Sequence, residues 1–130
     1  MLNNHEKAEF GQKFITGLRT KDWPLLKSIL ADDAVWSLPG TSLISGEAIG
    51  AEAVVNRAQR ITSYGLTFTL KHLLIGHHGV VLSLHNTAQG PHATLDLHLA
   101  TVLSLRDGKV AALNTYMADV DMVNKFFVPV

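Results

Sequence analysis

The chain has 130 residues, 47% of them hydrophobic, with eleven basic and eleven acidic side chains and a formal charge of zero. That is enough chain for one domain with its own core and too little for two, so residues 1–130 are read as a single domain. With no run of like charge and no cysteine, nucleic-acid binding, a polybasic membrane anchor, a disulfide framework and a thiolate metal site are all excluded from the expectations.

The first residues, Met1-Leu2-Asn3-Asn4-His5-Glu6-Lys7, are polar where a secretory signal would place an apolar core. No apolar run approaches the roughly 18 residues of a membrane span, so the expectation is a cytoplasmic protein with no membrane partner. From Glu6 to Leu18, Phe10, Phe14 and Leu18 recur every fourth residue beside Ile15, one stripe of an amphipathic helix. Asp22 is placed to cap a short second helix with Pro24 in its first turn, continuing through Leu25, Leu26, Ile29 and Leu30. Ala34 to Leu38 reads as a brief strand, the glycine-rich stretch Thr41 to Gly50 as a loop, and Ala51 to Ile61 as a third helix.

After Tyr64-Gly65 the period changes from helix to strand. Strands are expected over Leu66 to Ile75, Val80 to Thr87, Thr94 to Leu105 and Lys109 to Met117. Asp107-Gly108 is a hairpin signal that sets Arg106 against Lys109. An uninterrupted ladder then sets Val102 against Leu113, Ala100 against Thr115, His98 against Met117 and Asp96 against Asp119. Alternation divides the longest strand into a face with Asp96, His98 and Val102 and a face with Leu95, Leu97, Leu99, Thr101, Leu103 and Leu105. Either face could be turned to the helices: the leucines, leaving Asp96 and His98 in water, or the reverse.

Val35-Trp36-Ser37-Leu38-Pro39-Gly40, then Ser45-Gly46 and Gly50 leading into a helix, then Arg106-Asp107-Gly108-Lys109-Val110 before a tyrosine-bearing strand, resemble the SnoaL-like branch of the NTF2-like superfamily. The resemblance spans nearly the whole chain. It implies an α+β cone in which three N-terminal helices pack on a curved, mainly antiparallel sheet. It also implies that the concave sheet face forms a pocket and the convex face meets a second subunit. That turns the histidine-bearing face inward and leaves a leucine row larger than a soluble monomer normally exposes, so a homodimer through the convex face is expected.

Family enzymes such as steroid isomerases and polyketide cyclases move a proton next to a carbonyl with a carboxylate and stabilise the enolate inside an apolar cavity. In this chain the position of the isomerase base falls near Ser37 and that of its phenol donor near Phe14, so isomerisation of that kind is not expected. Asp96 and His98, two apart on one strand, are the catalytic candidates, since a carboxylate beside an imidazole can tune it for acid/base work. A facing Asp119 would raise one of the two aspartate pKa values. Phe14, Ser37, Val102, Leu113, Thr115 and Met117 are the expected ligand contacts, while Trp36 and Tyr116 are read as core aromatics.

The seven histidines match no ligand spacing, and neither a metal nor a cofactor is expected. The expected function is binding of a small apolar or polycyclic molecule with acid/base turnover by Asp96 and His98. The alternative is a non-catalytic binding or assembly module. An epoxide-type hydrolase would require an Asp-Arg-Asp constellation, which Arg57, Arg60 and Arg106 are poorly placed to supply. Phe126 and Phe127, in the segment Val120 to Val130, are expected to close one end of the cone or to join a subunit contact.

Overall fold

Helix α1 (Asn4–Thr20) begins at a reciprocal cap in which the Asn3 side chain accepts from the Glu6 amide at 2.8 Å and the Glu6 carboxylate accepts from the Asn3 amide at 3.0 Å. Asp22 caps α2 (Trp23–Ser28) as the sequence predicts, accepting from the Leu25 amide at 3.1 Å. There follow β1 (Leu30–Leu38), β2 (Gly46–Ile49), α3 (Ala51–Thr62), β3 (Thr67–Ile75), β4 (Gly79–Gln89), β5 (Thr94–Arg106), β6 (Lys109–Met117) and α4 (Val120–Phe126). This computed structural model describes Leu2 to Pro129; Met1 and Val130 lie outside the described residues.

The six strands form one sheet in the order β2-β1-β6-β5-β4-β3, antiparallel except where β1 runs alongside β6. The expected α+β cone and its three N-terminal helices are present. Two elements were not expected: β2, a four-residue strand inside the glycine-rich loop, and the short α4. Helix α1 packs on β3 and β4, α3 on β1 and β2, and α2 bridges the two helices. Phe126 and Phe127 are buried with Tyr64 in a cluster of rings, 4.9 Å between the Tyr64 and Phe127 centroids, and close one end of the cone within the chain.

The helices cover the leucine face, not the histidine face. Leu95 and Leu103 are fully buried and Leu97 is 3% exposed, together with Phe14, Ile15, Leu82, Val54 and Leu113 in one core. Asp96 and His98 face outward and are exposed. The histidine face is therefore not the inner one, and the leucines are covered by the helices of the same chain without a second copy.

Burial of the leucine row is what turns that face inward, and a bulge then decides which residues of β6 join it. The hairpin sets Arg106 against Lys109 and Leu105 against Val110 as anticipated, but Ser104 then pairs with Ala112, so Ala111 is an extra residue. Beyond it the ladder slips by one: Leu103 opposes Leu113, Thr101 opposes Thr115, and Leu99 opposes Met117. A slip of one residue exchanges the faces of everything beyond it. Thr115, Leu113 and Met117 thus share the inner face with the odd residues of β5 and not with His98 and Val102. Asp96 opposes Thr87, and Asp119 caps α4 by accepting from the Met122 amide at 3.0 Å. Tyr116 moves outward with the same slip and is 66% exposed, against the expectation of a core aromatic, whereas Trp36 is buried.

Candidate functional site: an apolar cavity with a polar seam

Between the helices and the inner sheet face lies a cavity of about 40 Å³. Phe14 and Leu18 of α1, Trp36 and Leu38 of β1, and Leu84, Leu97, Leu99 and Met117 of the sheet supply most of its wall, with Phe127 beside α4 completing it. Phe14 meets Trp36 edge to face at 5.9 Å, which fixes both rings.

Three polar side chains interrupt this apolar lining on the sheet side. The Trp36 indole N–H donates to Thr115 Oγ1 at 2.9 Å, and the Thr115 and Thr101 hydroxyls share a hydrogen bond at 2.9 Å. These groups are buried and mutually satisfied, so they hold one another more than they await a ligand. Asn86 differs. Opposite Leu97 on β4 and 6% exposed, it has a buried Oδ1 with no hydrogen-bond partner. Among the described residues, no lining side chain is an acid, a base or a tyrosine.

Of the expected ligand contacts, Phe14, Thr115 and Met117 line the cavity. Leu113 points inward but is buried in the core without reaching the lining. Ser37 and Val102 lie on the outer face, where the Ser37 hydroxyl donates to Glu47 at 3.3 Å. Asp96 and His98 are also outside. Asn86, Thr101 and Leu97 belong to the wall and were not among the expected contacts; the strict alternation of Leu95, Leu97, Leu99 with Asp96 and His98 is the signal that would have placed the last two.

On the outer face, Asp96 Oδ1 meets His85 Nε2 at 2.5 Å, and the His85 ring stacks on His98 with centroids 4.2 Å apart and planes at 7°. The hydrogen bond from His85, with the nearby imidazole charges, lowers the Asp96 carboxyl pKa below its ordinary value. That is opposite to the rise expected from a facing Asp119. The arginines stand apart from the cavity: Arg106 pairs with Asp33 at 2.5 Å, Arg57 donates to the Trp36 carbonyl at 2.6 Å and lies over the Trp36 ring, and Arg60 donates to the Leu43 carbonyl. Among the described residues, no Asp-Arg-Asp set lines the cavity.

The family model described as the SnoaL-like domain matches residues 12–113. Among solved structures, the fold is similar to Bal32a from a soil-derived mobile gene cassette, at TM-score 0.88 and 24% identity over 95% of this chain and 97% of that one. It is also similar to an NTF2-like protein of Burkholderia xenovorans LB400, at TM-score 0.84 and 17% identity over 98% and 99% of the two chains. An LEH-like epoxide hydrolase of M. tuberculosis gives TM-score 0.74 and 16% identity over 94% and 90%. No curated protein matches the sequence.

Proposed function

We infer the function from two premises: this chain belongs to the SnoaL-like domain family, and the wall of its cavity includes Asn86, whose buried Oδ1 has no hydrogen-bond partner. We propose that it binds a small, mostly apolar molecule bearing a hydrogen-bond donor, and that it does so without acid/base turnover by its own side chains.

The unsatisfied amide oxygen carries this reading. A buried acceptor without a partner costs about 1–3 kcal/mol, and a ligand hydroxyl or N–H placed against it removes that cost. The apolar remainder of the wall supplies non-directional affinity. Proton transfer by the protein requires a titratable group at the ligand, and the lining contains none. This favours a binding module over an isomerase or cyclase. The same lack of carboxylates and guanidinium groups argues against the chemistry named for the M. tuberculosis relative.

Size narrows the ligand. At about 40 Å³ the cavity is smaller than the roughly 150 Å³ apolar cavity known to hold benzene, so even a single six-membered ring enters only with some movement of the wall, and a polycyclic ligand requires far more.

Phenol and toluene, equal in shape and differing by one donor, test the proposal when each is titrated into the chain and into Asn86→Leu. The ratio of phenol to toluene affinity is expected to fall about fivefold in the variant, the worth of one net hydrogen bond. Comparing the ratio removes the different hydration of the two ligands. An unchanged ratio, or no binding of either compound, refutes it.

For the homodimer, the supporting surface is not the leucine row but the outer sheet face, where Ile49, Tyr116 and Leu74 are 70%, 66% and 55% exposed. Half-buried Val35, Val81 and Val102 lie between them on that face. We propose that a second copy covers this band about a two-fold axis. Sedimentation velocity at micromolar concentration is expected to give a dimer that Tyr116→Lys dissociates; a monomeric wild-type chain rules it out.

A further inference from the structure

We propose that His85, Asp96 and His98 form a binding site for a divalent transition-metal ion on the outer face of the sheet, a site separate from the cavity and independent of the ligand proposed for it. Strand pairing assembles the set. His85 on β4 stands directly opposite His98 on β5, and Asp96 is two residues before His98, so all three side chains leave the same sheet face. One ligand atom from each lies within 4.8 Å of the other two.

The donors already converge. His85 Nε2 and Asp96 Oδ1 meet at 2.5 Å, and the near-parallel His98 ring lies 4.2 Å from that of His85. His98 makes no side-chain hydrogen bond among the described residues. An ion held tetrahedrally at about 2.0–2.2 Å from each donor keeps neighbouring donors about 3.3–3.6 Å apart. The carboxylate and imidazole must therefore separate by about 1 Å, and His98 must close by up to about 1.5 Å. Rotation of surface side chains achieves both, while the β4–β5 ladder holds the backbone. The ion takes the place of the proton between His85 and Asp96, so acid competes with it.

The donor set selects the ion class. Two imidazole nitrogens and one carboxylate suit Zn²⁺, Co²⁺, Ni²⁺ or Cu²⁺, whereas Mg²⁺ and Ca²⁺ demand oxygen-rich shells. Three protein donors leave a fourth position open to water. The other close histidine pair, His77 and His78, stands edge to face at 81° beside the β3–β4 turn and has no carboxylate completing a three-donor group among the described residues.

Calorimetric titration of the tag-free full chain with Zn²⁺ tests this, with Co²⁺ absorption reporting the donor set. About one Zn²⁺ per chain is expected, with no response to Mg²⁺. Loss of an outer-shell partner already weakens metal sites about 10–100-fold, so His85→Ala and His98→Ala, which remove donors, should each lower the affinity at least tenfold, and Asp96→Asn should also weaken it. All three are surface changes whose folding is checked by circular dichroism. His77→Ala with His78→Ala should bind as the wild type does. The proposal is overturned if the chain takes up no Zn²⁺ at about 100 μM, if His98→Ala binds as tightly as the wild type, or if binding is lost with His77 and His78 instead.

Discussion

Leu103→Asp is expected to lower the unfolding free energy by at least about 4 kcal/mol, most of the stability of a domain at the lower end of the usual range of about 5–15 kcal/mol. Leu103 is fully buried in the main core opposite Leu113 and Val80. The substitution removes a buried aliphatic side chain and places a carboxylate in the apolar core. Were the leucine face of β5 the outer face, the same change would cost no more than about 0.5 kcal/mol, as surface substitutions do. Urea melts followed by circular dichroism distinguish the two. His98→Ala, on the opposite face, serves as the control and should shift the melt by no more than about 0.5 kcal/mol.

The second large effect is at Gly79, the first residue of β4. A Cβ there would lie 1.9 Å from the Leu103 carbonyl oxygen and 3.2 Å from the Ser104 Cα. Both atoms are backbone of the neighbouring strand, held by the ladder, so no side-chain rotation relieves the clash. Gly79→Ala is expected to destabilise by about 3 kcal/mol, the upper end for overpacking. Gly76, three residues earlier in the same turn, has its nearest atom at 3.5 Å, so Gly76→Ala should be close to neutral. Equal melts for the two variants would contradict the packing of β4 against β5.

The elements of this fold are legible in the sequence because period and punctuation agree: a four-residue apolar recurrence from Phe10 to Leu18, an aspartate before Trp23-Pro24, and Asp107-Gly108 between two apolar runs. Strand β2 is hidden because four residues flanked by glycines carry no period; it forms by pairing with β1. Alternation shows that β5 has two unlike faces, and the simplest hydrophobic reading, leucines inward, is the correct one here. What misled was the family expectation of a polar, histidine-lined concavity joined to an unbroken hairpin ladder.

That ladder's break does leave a trace. In β6 the buried residues are Val110, then Leu113 and Thr115, a change of phase that only an extra residue between Val110 and Leu113 can accommodate on one face. Reading it would have separated Thr115 and Met117, which line the cavity, from His98 and Val102, which do not. The outer histidine cluster has no linear signature at all. His85 and His98 are thirteen residues apart, and only the β4–β5 turn, closed by the Gly90 amide donating to the Ala93 carbonyl at 2.9 Å, makes them neighbours.

The inner, odd-numbered face of β5 lines the cavity inside the chain, and intermolecular nuclear Overhauser effects between phenol and the methyl groups of the labelled protein test most directly whether a ligand binds there. Contacts are expected from the phenol ring to Leu84, Leu97 and Leu99, which belong to the cavity wall. Contacts to Val81 and Val102 on the outer face, with none to those leucines, would contradict the account.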